Sequence, residues 1–93
     1  MTEYRLVNKK FVIVPPTNEI PDDIKVVIYG STMEIFVPLD QNTNLFDKFS
    51  CDERPIIYEP VSYDHCKFTL QNLTSNYIAD KLYYLAKDDW KMY

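Results

Sequence analysis

The sequence has very few of the residues from which small catalytic and metal sites are built. It contains one glycine, two cysteines and one histidine in 93 residues. A single glycine cannot form a glycine-rich phosphate-binding loop. A closed zinc site, which takes three or four Cys or His ligands, would need every thiol and imidazole in the chain. We therefore expect no metal and no cofactor.

The same scarcity limits nucleophilic catalysis. Cys51, His65 and Cys66 are the only thiol and imidazole side chains. Because adjacent residues of a strand point to opposite faces, His65 and Cys66 are poorly placed to form a dyad. We expect Cys66 to be buried and Cys51 to be inert. A disulfide between the two cysteines is geometrically possible but would need an oxidising compartment.

Adjacent acidic pairs are the remaining candidates for acid–base catalysis. They lie in predicted loops or near the chain end. A carboxylate exposed to solvent there seldom has the shifted pKa that proton transfer requires. These pairs are Asp22-Asp23, Asp52-Glu53 and Asp88-Asp89. The sequence therefore predicts a protein that is not an enzyme.

Basic charge and long apolar runs are also missing. Ten Lys and Arg against fourteen Asp and Glu give a net charge of −4, whereas nucleic-acid binding needs a concentrated basic surface. No apolar run approaches the roughly 20 residues of a membrane span, and residues 1–10 lack the apolar core of a secretory signal. We expect one cytoplasmic domain over residues 1–93, with no direct nucleic-acid or membrane partner.

Residues with GC-rich codons are scarce. Gly, Ala, Arg and Pro total 11, whereas Phe, Tyr, Met, Ile, Asn and Lys, which have AT-rich codons, total 38. This skew is typical of AT-rich genomes, including those of many bacteriophages, low-GC bacteria and large DNA viruses. It indicates a source and not a mechanism.

Hairpin patterns are what the sequence does contain, and the clearest spans residues 24–38. Two β-branched and aromatic runs flank Gly30-Ser31, and a glycine at the first central position is typical of a type II′ turn. That turn places Tyr29 opposite Thr32. One face is then apolar, with Ile24, Val26, Ile28, Met33, Ile35 and Val37. The other face is mixed, and is either solvated or partly covered, with Lys25, Val27, Tyr29, Thr32, Glu34 and Phe36.

Two further hairpins are predicted. One turns at Asn8-Lys9, with a single long strand over residues 4–14 as the alternative. The other turns at Asp64-His65, and Pro60 makes its first strand an edge strand or breaks it with a bulge. In that register Val61, Tyr63, Cys66, Phe68 and Leu70 share a face. Residues 17–23 and 40–55 are expected to be loops, the second with a helical turn at Phe46 and Phe49.

A helical period begins near residue 75. Thr74 or Ser75 is the expected N-cap, and the helix should end near Lys87. The core side of its wheel carries Ile78, Ala79, Leu82, Leu85 and Ala86. The fold class expected is α+β, an antiparallel sheet of five to six strands with one C-terminal helix packed on one face.

A second helical stripe carries aromatic residues. Tyr77, Lys81, Tyr84 and Asp88 follow at spacings of four, three and four, so they are expected to point away from the core. Tyrosine and tryptophan are typical of protein interfaces. The predicted partner-binding residues, suited to a basic partner surface, are Tyr77, Tyr84, Asp88, Asp89, Trp90 and Tyr93. The alternative is that these rings pack on the sheet.

The leading hypothesis is a small acidic protein-binding protein, of the phage or viral kind, that inhibits a host enzyme or defence factor by direct contact. A DNA mimic is a stronger version of it, although −4 is a modest charge for that role. An antitoxin or immunity protein is an alternative. A homo-oligomer that assembles through Val27, Tyr29 and Phe36 is another.

Overall fold

A computed structural model of the protein describes residues 1–40 and 56–87. Six strands form one antiparallel sheet, in the spatial order β2-β1-β3-β4-β6-β5, and a helix follows them. The elements are β1 (Thr2–Val7), β2 (Lys10–Val14), β3 (Lys25–Tyr29), β4 (Thr32–Pro38), β5 (Ile56–Ser62), β6 (His65–Leu70) and α1 (Ser75–Ala86). The predicted α+β class is confirmed. The predictions for Phe46, Phe49, Cys51 and residues 88–93 lie outside the described residues.

The first two hairpins form as their turn residues predict. Gly30 has φ of 59°, and Ser31 is not among the residues with positive φ, which fits a type II′ turn. Asn8 and Lys9 have φ of 51° and 62°, the pair of positive values that a type I′ turn requires. β1 and β2 are therefore a hairpin, and the alternative of one long strand is wrong.

The third hairpin turns one residue earlier than predicted. Ser62 lies opposite His65, so Tyr63 and Asp64 form the turn. The register shifts between Pro60 and Ser62, and this irregularity interrupts the simple alternation of side chains. Tyr63 is consequently 92% exposed instead of sharing the face of Cys66. The expectation that Pro60 marks an edge strand or a bulge is confirmed, because β5 is both.

The core lies between one face of the sheet and α1. Its buried side chains come from β3, β4, β6, the helix and the residues just before β3 and α1. They are Ile24, Val26, Met33, Ile35, Val37, Phe68, Leu70, Leu73 and Leu85. Thr74 is the N-cap, and its hydroxyl accepts a hydrogen bond from the Tyr77 amide at 3.1 Å. The Leu73 amide donates to the Ser31 carbonyl at 2.9 Å, which fastens the start of α1 to the β3–β4 turn. No helix within the described ranges is long and apolar enough to cross a membrane.

The opposite face of the sheet buries two charges. Glu3 is 1% exposed and Lys25 is 3% exposed, with Lys25 Nζ 3.3 Å from Glu3 Oε1. Lys25 Nζ also donates to the carbonyl oxygens of Thr17 and Glu19, each at 2.8 Å. Glu3 accepts from the Thr17 amide at 3.0 Å and from Arg5 Nε at 2.7 Å. These bonds hold the loop after β2 across the outer face, which is therefore partly covered.

The protonation of Glu3 depends on this network. Burial alone would raise the pKa of Glu3, but the Thr17 amide, Arg5 and Lys25 stabilise the carboxylate and lower its pKa below the usual value. The ionised form is thus the one that the folded state prefers.

Removing both partners of this ion pair should cost less than the sum of removing each one alone. Lys25→Met leaves the buried Glu3 carboxylate with fewer partners, and we expect a loss of about 3–5 kcal/mol in the free energy of unfolding. The double variant Glu3→Gln, Lys25→Met should lose less than the sum of the two single variants. Urea denaturation of all four proteins gives the coupling free energy. Additive losses would contradict a direct interaction.

Acid should weaken the fold through Glu3. Because folding lowers the pKa of Glu3, its contribution is present above the pKa of the unfolded chain and is lost as the pH falls through the folded pKa. We expect wild type to lose more stability than Glu3→Gln between about pH 5 and pH 3. Glu19→Gln, which alters an exposed carboxylate nearby, is the matched control and should follow wild type in urea titrations at each pH.

Candidate protein-binding site

The exposed stripe of α1 is not the predicted one. Tyr77 and Tyr84 are half-buried and pack against the core, so the expectation that they point away from it is wrong. Ala79, predicted to face the core, is exposed. Burying two tyrosine rings removes far more apolar area from water than burying one alanine, and the helix is rotated accordingly. The solvent-facing stripe is Asn76, Ala79, Asp80, Tyr83 and Lys87.

Lys81 covers the outer sides of the two half-buried rings. Its Nζ lies 5.2 Å from the ring centroid of Tyr77 and 5.6 Å from that of Tyr84, within the range of a cation–π contact. These tyrosines are therefore part of the packing of α1, and their role as partner contacts stays a prediction. The other predicted partner-binding residues, Asp88, Asp89, Trp90 and Tyr93, lie outside the described residues.

A groove of about 480 Å³ lies between the C-terminal half of α1 and the β1–β2 hairpin. Its walls are mainly apolar. The ring of Tyr83, a helix residue that is 67% exposed, forms one of them. The residues that line this hairpin–helix groove are Tyr4, Lys9, Lys10, Phe11, Leu82, Tyr83 and Ala86. An apolar groove with a few polar groups at its margin is the usual form of a binding site.

The margin of the groove is basic although the chain is acidic. Lys9 and Lys10 are both exposed, and neither forms an ion pair with any residue in the described ranges. Lys87 Nζ lies 4.4 Å from the ring centroid of Tyr83, so a third cation stands beside the groove. The local charge is thus opposite in sign to the net charge of −4.

β2 forms one edge of the sheet and continues the groove. In a two-residue hairpin the residues that flank the turn, Val7 and Lys10, form a hydrogen-bonded pair, and such pairs alternate along the ladder. The amide and carbonyl groups of Phe11 and Ile13 therefore point away from β1, towards the open edge. Ile13 is also 70% exposed and Val12 is exposed on the other face. The edge offers backbone groups and apolar side chains together.

The other edge of the sheet is protected. β5 carries Pro60, an irregular register beside it, and the charged Glu59, whose carboxylate lies 3.0 Å from Lys67 Nζ. Proline, bulges and charges are the usual means by which an edge strand avoids pairing with another chain. β2 has none of them between Phe11 and Val14. The contrast indicates that the two edges differ in their availability to a partner.

His65 and Cys66 both make contacts within the fold. His65 lies 2.9 Å from Asp64 Oδ1 through Nδ1 and 2.9 Å from the Pro21 carbonyl through Nε2. Cys66 is buried, as predicted, and its Sγ lies 3.0 Å from the hydroxyl of Tyr58, which shares its face of the sheet. Hydrogen bonds from His65 and Ser62 lower the pKa of Asp64. In the part of the chain that the structure describes, no three His, Cys, Asp or Glu side chains converge as a metal site would require.

The outer face is less suited to self-assembly than the sequence indicated. Val27 is only 5% exposed, and Phe36 lies between two lysines, 5.2 Å from Lys25 Nζ and 6.0 Å from Lys67 Nζ. Tyr29 is exposed and its hydroxyl donates to Glu34 at 3.3 Å. The apolar contact proposed for a homo-oligomer is therefore mostly occupied within the chain.

Sequence reasoning missed the residues that the structure brings together at the groove and the edge. Tyr83 belongs to neither of the two helical stripes that the sequence predicts. Phe11, Ile13 and the two lysines were assigned only to a hairpin. One signal was available: residues 11–14 read FVIV, an apolar run on both faces of a short strand, whereas an exposed edge strand normally alternates.

The two tyrosines at the end of α1 should differ in their effect on stability. Because Tyr83 is mostly exposed, Tyr83→Ala should change the free energy of unfolding by no more than about 0.5 kcal/mol. Tyr84→Ala removes a ring packed against the core and should cost about 1–3 kcal/mol. Urea denaturation followed by circular dichroism measures both. Equal losses would mean that the burial pattern of α1 is wrong.

Comparison with known proteins gives no relative whose role could be transferred to this chain. No protein-family model, curated protein or solved structure matches it significantly. The function must therefore be inferred from the geometry of the hairpin–helix groove and the β2 edge.

Proposed function

We propose that this chain is a small, non-catalytic protein-binding protein that inhibits another protein by occupying part of its surface. The surface that best supports this role is the hairpin–helix groove together with the edge of β2. The observation that carries the proposal is the open edge at Phe11 and Ile13, where outward backbone groups adjoin an apolar groove. Both are features of strand-addition binding, in which main-chain hydrogen bonds supply affinity and side-chain pockets supply specificity.

Exposed aromatic and aliphatic side chains support the same surface. Tyr83 and Ile13 are the large apolar residues with high exposure beside the groove. Buried tyrosine anchors often dominate the binding free energy of a protein interface. The AT-rich residue usage is consistent with a phage or viral source acting in a host cytoplasm. The predicted fit to a basic partner surface rests on Asp88 and Asp89, whereas the lysines at the groove favour an acidic contact.

Site-specific photo-cross-linking tests the proposal. We would place p-benzoylphenylalanine at the position of Ile13 or of Tyr83, and at Tyr63 as the control. Tyr63 is 92% exposed but belongs to the β5–β6 turn, away from the groove. In lysates of bacteria with AT-rich genomes, one partner should cross-link at positions 13 and 83 and not at 63. The purified partner should then lose its activity when mixed with one equivalent of this protein.

The outcomes separate the candidate surfaces. A partner that cross-links at Tyr63 but at neither groove position would place the contact elsewhere and contradict the assignment of the site. A partner that binds at the groove with its activity unchanged would retain the binding role and exclude inhibition. Cross-links only to a second copy of the chain would favour the homo-oligomer.

A further inference from the structure

The edge of β2 has room for a strand of defined length. The outward amide and carbonyl groups belong to Phe11 and Ile13, which make non-hydrogen-bonded pairs with β1 at Leu6 and Tyr4. Pro15 and Pro16 follow β2 directly and have no amide hydrogen to extend the ladder. An antiparallel segment added here would therefore make two hydrogen-bonded pairs, one with each outward residue, and four hydrogen bonds in all.

The register fixes which way the added side chains point. Phe11 packs towards the core beside the groove, and in a sheet directly opposite residues point to the same face. Segment residues opposite Phe11 and Ile13 would thus turn towards the groove and α1. Both should be apolar, because the wall beside them is Leu82 and Tyr83. The residue between them, opposite Val12, would point to the other face.

The next residue of the segment would lie opposite Lys10. This is a non-hydrogen-bonded position with respect to the added strand, where opposite side chains approach most closely. The following residue would lie at Lys9 in the turn. Neither lysine has an ion pair among the described residues, so an acidic residue at these two positions would gain contacts that no described group now supplies.

A second copy of the chain fits the same edge less well. Two β2 strands paired symmetrically about Val12 would place Lys10 opposite Val14 and bring no carboxylate to either lysine. Each copy also carries a net charge of −4, which opposes association. Charge complementarity therefore favours an acidic segment from another protein.

We propose that the β2 edge binds an extended, acidic partner segment as a seventh, antiparallel strand. In the N-to-C direction the segment reads apolar, any residue, apolar, acidic, acidic. This inference deepens the proposed function and rests on it for the existence of a natural partner. Its chemistry can be tested without that partner.

Fluorescence anisotropy with labelled peptides tests the pattern. The probe is fluorescein-labelled SSVTFEES, in which Val and Phe take the apolar positions and the two Glu follow. Replacing both Glu by Lys should weaken binding about 10-fold, as expected for two exposed charge pairs. The protein variant Lys9→Glu, Lys10→Glu should reverse this preference and bind the Lys peptide better than the Glu peptide.

N-methylation separates strand addition from simple binding in the groove. N-methyl groups on the Val and Phe amides remove the two hydrogen bonds that the peptide donates to the edge, and should weaken binding at least about 10-fold. N-methylation of the Thr amide, which points away from β2 in the proposed register, is the matched control and should have little effect. Hydrogen exchange at Phe11 and Ile13 should slow on binding, while Val12, already bonded to β1, should not change.

Equal losses from the Thr and the Val or Phe N-methyl peptides, or no reversal with the charge-swapped protein, would overturn the inference. It would also be overturned if the chain sediments as a dimer that Ile13→Pro converts to a monomer, because a second copy would then occupy the edge. If the peptides fail while a partner cross-links at positions 13 and 83, the proposed function stands without this inference. If the peptides bind as expected and no partner cross-links, only the proposed function falls.

Discussion

A six-stranded sheet has two faces, and α1 covers only one of them. On the core face, alternate apolar residues of β3, β4 and β6 pack under the helix. The outer face is covered in part by the loop after β2. Lys25 holds this loop by binding two of its carbonyl oxygens as well as the Glu3 carboxylate. The loop therefore stays on the sheet through hydrogen bonds to a buried ion pair. Because the loop covers part of the outer face, that part of the sheet is not exposed to a partner. The surface that stays exposed therefore depends on this ion pair.

The two edges of the sheet differ in how well they are protected. β5 contains Pro60 and an irregular register, and its one charged residue, Glu59, pairs with Lys67. β2 leads directly into the loop that Lys25 and Glu3 hold. No element among the described residues pairs with its open edge. Among the described strands, the edge that remains open is thus that of β2. Loss of the ion pair would release the loop beside it as well.

Local signals were enough to predict the elements, but not how they meet. Gly30 and the Asn8-Lys9 pair determine two turns by their backbone angles, and Thr74 and Lys87 bound the helix. Neither the pairing of β1 with β3 nor the meeting of Glu3 with Lys25 has a local signature, because both join residues distant in the chain. The groove was missed for a related reason: a helical wheel gives the order of faces and not the rotation of the helix. The observed helix is rotated by about one residue, roughly 100°, from the predicted orientation, so Tyr83 and not Tyr84 lies at the surface.

Net charge is a weak guide to the partner of this protein. The chain carries −4 overall, yet the described groove is flanked by Lys9 and Lys10, and Lys87 stacks on Tyr83. Because salt screens charges beyond about 8–10 Å, a bound segment responds to the cations beside it more than to distant carboxylates. The acidic surplus opposes the approach of a second copy, whereas the lysines beside the groove suit the acidic strand proposed above. Opposite local and global charge would therefore discourage self-pairing at the open β2 edge and leave it accessible to the proposed acidic segment.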